Sequence, residues 1–109
     1  MAKPEDWNAA VMKGVEVTST LQQGLVSVGT AAVALASALT NIDWVIIQNI
    51  SAVNIFIGGS TVTATGSTTG LRVGPNGNSP ILKVDDLSTI FVIAASGSGN
   101  SVLFLAGSP

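Results

Sequence analysis

The sequence predicts an all-β protein, an antiparallel β-sandwich preceded by a short N-terminal arm. Three observations carry that expectation. From Leu25 onward, short runs rich in Val, Ile and Thr alternate with clusters of Gly, Asn, Pro and Asp. Their spacing of about 8 to 12 residues is the rhythm of a sandwich or barrel rather than of a βαβ sheet. No helical period of apolar residues runs through the same region. Charge is also lopsided: Lys3, Glu5, Asp6, Lys13 and Glu16 are half of the ten charged residues in a chain of 109. The division expected is therefore an arm, residues 1–23, and one β domain, residues 24–109.

The arm comes first. Pro4-Glu5-Asp6 can open a short helix, since Pro suits a first turn and early carboxylates suit the positive end of the helix dipole. Trp7, Ala10, Val11 and Gly14 then follow at i, i+3, i+4 and i+7, a narrow apolar stripe that Gly14 would end. Two or three turns are marginal alone in water, so Trp7 and Val11 are expected to dock, either on the chain's own body or on a neighbouring subunit. With Lys3, Glu5 and Asp6 they form the candidate partner-binding set.

The expected strands are Leu25–Val28, Ala32–Ala36, Trp44–Ile50, Val53–Ile57, Thr61–Thr65, Leu71–Val73, Ile81–Val84, Thr89–Ala95 and Ser101–Ala106. Ala31–Leu39 is ambiguous by composition: its alanines favour a helix, while a run of small apolar residues also fits a strand buried on both sides. The strongest strands are apolar on both faces. Trp44, Ile46 and Ile50 alternate with Val45 and Ile47; Ile90, Val92 and Ala94 with Phe91, Ile93 and Ala95; Leu103 and Leu105 with Val102, Phe104 and Ala106. A lone two-layer sandwich shows one apolar and one polar face, so something is expected to cover the outer one. A second copy of the chain is the preferred cover, through Trp44, Ile46, Phe91, Ile93 and Phe104. A third layer or a closed barrel within one monomer is the other solution.

The zero counts restrict chemistry. With no His and no Cys, a Ser-His-Asp triad, a thiol nucleophile, an imidazole or thiolate zinc site and a disulfide are all impossible. The chain is expected not to be an enzyme and to need no cofactor. Asp85-Asp86 with Asp43 could suggest a cation site, but hard cations take six to eight oxygens and no ligand spacing accompanies the pair; an exposed turn is the better reading. Gly58–Gly70 is rich in Gly, Ser and Thr, yet lacks the Gly-Lys-Ser/Thr ending of a phosphate loop, so turns and a hydrated Thr-rich strand are expected. Gly74–Pro80, with its central Asn-Gly, reads as a surface loop. Arg72, the only arginine, could clamp a carboxylate across a subunit boundary, though an isolated exposed Arg is commoner. Four scattered basic residues do not make a nucleic-acid surface, two Trp without Tyr do not make a stacking platform, and the longest weakly polar run is far short of the ~20 residues of a membrane span. The acidic opening MAKPEDWN does not read as a secretory signal.

One set of motifs is familiar. Gln48-Asn49 ends a strand, Ile55-Phe56-Ile57-Gly58-Gly59 follows a short turn, then come Val62-Thr63, Gly70-Leu71 and Ile93–Gly97 before a final strand. Over roughly residues 24–106 this order resembles small β-structured virion proteins of tailed bacteriophages, although Phe56 stands where Tyr is frequent and the arm is not part of the shared pattern. The resemblance implies a jelly-roll-like sandwich in the virion, a capsid decoration (cement or head-fibre-like) protein. It would bind the major capsid protein or other virion proteins as a homo-oligomer, a homotrimer by preference, and stabilise the head. A tail, neck or fibre adaptor is the alternative within the virion; a receptor- or carbohydrate-binding module is a further one. No nucleic acid, membrane or metal enters any of these readings.

Overall fold

The computed structural model describes residues 20–37 and 40–108. Lys3, Glu5, Asp6, Trp7 and Val11, and the short helix expected around them, lie outside the described residues. Among those described, the chain is all-β, with two antiparallel sheets. The strands are β1 (Thr20–Val28), β2 (Val33–Ala34), β3 (Trp44–Asn49), β4 (Ile55–Gly58), β5 (Leu71–Val73), β6 (Phe91–Ala94) and β7 (Asn100–Ser108). One sheet has the order β1-β7-β3 and the other β2-β6-β4-β5.

Period-two alternation decides which way each strand faces. Val45 and Ile47 on β3 and Val102, Phe104 and Ala106 on β7 turn inward, and meet Ile55 and Ile57 of β4, Val73 of β5 and Val92 and Ala94 of β6 in one buried cluster. The two sheets thus share a core. Gly29 carries the chain from one to the other: its carbonyl accepts from the Ala94 N–H at 2.8 Å, immediately after β1.

β1 starts earlier than the sequence suggests. Residues 20–23, read as the end of the arm, pair with Leu105–Ser108 of β7 in unbroken register. Thr20, Gln22 and Gln23 hid the strand because it lies at a sheet edge, where burial demands little. Two expected strands shrink to single bridges: Thr63 with Thr69, and Leu82 with Val45. A 3₁₀ turn, Leu87–Thr89, stands where no helical period was visible. The Asp86 side chain caps it by accepting from the Ser88 N–H at 2.9 Å, as the turn reading of Asp85-Asp86 anticipated.

Segment 59–70 answers half of the two-faced-strand puzzle. On the side of β4 and β6 away from the core, Phe56 and Ile93 are buried with Val62, and Ala32, Ala64 and Phe91 pack against them. The loop is held by its own groups: Val62 N–H to Gly59 O, Thr63 Oγ1 to Thr65 O, Thr68 Oγ1 to Thr63 Oγ1, and Thr69 Oγ1 to Gly66 O. So for this sheet the third layer comes from the chain itself. Ile93 and Phe91, expected to face a second copy, are covered from within.

The corresponding face of the three-stranded sheet has no such cover among the described residues. One edge of that sheet is nonetheless closed. Segment 76–82 runs along β3 and exchanges six hydrogen bonds with it. Asn76 and Ser79 N–H donate to Asn49 and Ile47 O, Asn49 N–H donates to Gly77 O, Ile47 N–H donates to Ser79 Oγ, and Val45 and Leu82 bond reciprocally. The loop expected at Gly74–Pro80 is therefore a strap. Its turn needs Asn76 in the left-handed region (φ 62°), a conformation that Asn tolerates, and closes with Gly77 N–H on Gly74 O at 2.9 Å.

Candidate functional site

Strand register builds an extended apolar surface that the described residues leave open. β1, β7 and β3 align Leu21 with Gly107 and Trp44, Gln23 with Leu105 and Ile46, and Leu25 with Leu103 and Gln48. All of these point away from the core. Leu21, Leu25, Leu103 and Leu105 are 58, 64, 38 and 39% exposed, while Trp44 and Ile46 are half-buried. The four leucines together expose about as much surface as two whole leucines. A shallow groove of about 520 Å³ runs between Leu25, Leu103, Leu105 and Ile46, edged by Gln23, Gln48 and Asn78.

The groove has no charged lining. Asp43 and Asp85 border a separate dip beside Asn41 and Ser108, Lys83 lies beside Leu71 and Ile81 at another end of the molecule, and Arg72 is exposed on β5 opposite Phe56. A neutral apolar strip rimmed by amides offers no acid, base or nucleophile at its centre. It can exclude water from a matching apolar surface and orient it through the rim amides.

The sequence-predicted interface residues separate into two groups. Trp44 and Ile46 lie on this open face. Phe104, 9% exposed, belongs to the core on the other side of the same sheet, and Ile93 and Phe91 belong to the second cluster. Period two alone made both sides of β6 and β7 equivalent candidates; only the position of the opposite sheet and of segment 59–70 distinguishes them. Sequence reasoning misses Leu21, because the expected strand begins only at Leu25, and it passes over Leu25, Leu103 and Leu105 in favour of Phe104 and the other residues of β3 and β6.

Among the described residues Asn49 and Ser79 are the buried polar ones, and both serve structure. Asn49 Nδ2 donates to Val53 O (2.7 Å) and Val73 O (2.9 Å), and its Oδ1 accepts from Ser51 N–H and Oγ. No buried side-chain polar atom lacks a partner among the described residues. None of their acidic side chains gathers into a group of three able to hold a metal ion, and no helix among them is long and apolar enough to cross a membrane. No protein-family model, no curated protein and no solved structure matches the chain at a significant level.

Proposed function

We propose that this chain is a structural part of a tailed-phage particle: a jelly-roll-like β-sandwich with an N-terminal arm that decorates and stabilises the head as a homo-oligomer. The observation that carries the assembly reading is the leucine face of the β1-β7-β3 sheet, which the described residues leave open and line without charge. Contiguous apolar surface of this kind costs about 25 cal/mol for each Å² left in water and commonly marks a contact site. A second copy covers it with a surface of the same neutral chemistry, and the arm, through Trp7 and Val11, anchors the assembly on head subunits.

The phage placement rests on the resemblance, and the positions of its motifs support it. Gln48-Asn49 ends β3 at the buried Asn49 hub, Val62 is the plug of segment 59–70, and Gly70 sits where any side chain would strike Ile57 and Val62. These residues hold the sheets together, so what resembles the group is an architecture rather than a reactive site.

Two measurements test the reading. Replacing Leu103 and Leu105 together by Glu puts charge on the face without touching the core; sedimentation should show the homo-oligomer dissociating while the far-ultraviolet spectrum is unchanged. Quantitative mass spectrometry of purified particles should find the protein in numbers that follow the head subunits. Absence from particles sinks the virion reading, and a copy number matching a single ring moves the protein to the neck or tail.

A further inference from the structure

β1 is the longest strand edge that the described residues leave unpaired. In its sheet, β7 occupies one side of β1, and the far edge of β3 is sealed by the 76–82 strap. In the other sheet the edge strands β2 and β5 have only two and three residues. β1 has nine, Thr-Leu-Gln-Gln-Gly-Leu-Val-Ser-Val, in one-to-one register with β7 along its whole length. It has no bulge, no proline and no charge. Those are the devices by which proteins keep an edge from pairing, and here none is used although the opposite edge is closed by six hydrogen bonds.

We propose that β1 is a second assembly surface, which pairs antiparallel with β1 of another copy about a two-fold axis through Gly24. Gly24 is the middle residue of the nine, so this register pairs the strand along its full length. The pairing places Leu25 opposite Gln23, Leu21 opposite Ser27, Gln22 opposite Val26 and Thr20 opposite Val28. Every polar residue then meets an apolar or hydroxyl-bearing neighbour and no like charges meet. On the outer face Leu25 of one copy reaches diagonally to Leu25 and Leu21 of the other, within the ~7–8 Å of diagonal neighbours. The axis itself falls on the one position without a side chain. On the core face the Phe104 ring already lies over Gly24, so closely that a Cβ there would stand 2.5 Å from it.

The main-chain bonds and side-chain pairs of a nine-residue ladder supply a contribution separate from that of the leucine face. The inference uses the assembly reading only for its purpose: the leucine face builds the oligomer, and β1 links one oligomer to the next.

The chain has no cysteine, so disulfide crosslinking reports the register directly. Full-length Gln23→Cys and Leu25→Cys, mixed and mildly oxidised, should give several-fold more crosslinked dimer than either variant alone or than Gln23→Cys mixed with Ser27→Cys. Equal yields in all mixtures, or none in any, overturn the proposal. Hydrogen exchange supplies the second readout: alternate amides of residues 20–28 should gain protection as protein concentration rises. Protection that is independent of concentration and lost on deleting residues 1–16 means that the chain's own arm fills the edge, which also overturns it. If crosslinking keeps its register in the Leu103→Glu, Leu105→Glu protein, the edge contact stands whatever becomes of the face.

Discussion

Asn49 shows how much a single buried amide can organise. It stands at the last position of β3, wholly buried, and its four hydrogen bonds reach the turn that follows and the end of β5. An apolar residue of similar size would fill the space but strand the Val73 carbonyl and the Ser51 N–H inside the protein. Leaving buried groups unpaired costs about 1–3 kcal/mol each. Asn49→Ala should therefore lower the unfolding free energy by about 2–4 kcal/mol in urea titration, with no change in the residues that line the leucine face. Gly70 makes the complementary point: its place is fixed by the absence of a side chain, because a Cβ would press on the Ile57 carbonyl and the Val62 methyl. Both residues belong to the motifs quoted for the phage resemblance, and both act on packing.

The elements without regular structure determine what the strands can do. Segment 76–82 contains Pro80 and makes no ladder of its own, yet it closes β3 because Ser79 uses its side chain where a strand would use a carbonyl. Ile47 N–H donates to Ser79 Oγ at 2.9 Å, and Ser79 Oγ donates onward to Pro80 O at 2.8 Å. Ser79→Ala should leave the Ile47 N–H without a partner, cost about 1–3 kcal/mol, and raise hydrogen exchange at Ile47 ahead of its neighbours. Segment 59–70 does for a face what 76–82 does for an edge: Val62 is its contact with Phe56 and Ile93. Neither role was legible in sequence. A run such as GGSTVTATGSTTG shows its turn chemistry in its Gly and Thr residues, but its single inward-facing valine is invisible until the sheet beneath it is in place.

At the scale of the whole molecule, both sheets share one core, but their outer surfaces differ: one carries a layer made by its own chain, and on the other the described residues leave leucines exposed and the edge of β1 unpaired. That asymmetry gives the protein a side for contact. Deleting residues 1–16 should leave the two sheets folded and the homo-oligomer intact, measured by circular dichroism and sedimentation, while weakening attachment to the particle. A deleted protein that unfolds would make the arm part of the core and remove its anchoring role.

The amino-acid sequence by itself determined the all-β class, the approximate positions of β2 to β7 and the absence of thiol and imidazole chemistry. Alternation, turn residues and composition are local properties of a chain. It also determined that β3, β6 and β7 are apolar on both sides. Which side is core was decided only by the tertiary structure, because a period of two treats the faces of a strand alike until a second sheet packs against one of them. Phe104 went inward, Leu103 and Leu105 outward, and Ile93 beneath a loop for that reason. The start of β1 was hidden for a related one: Thr20, Gln22 and Gln23 break the apolar pattern, and an edge strand forms without it once β7 lies beside it to complete the ladder.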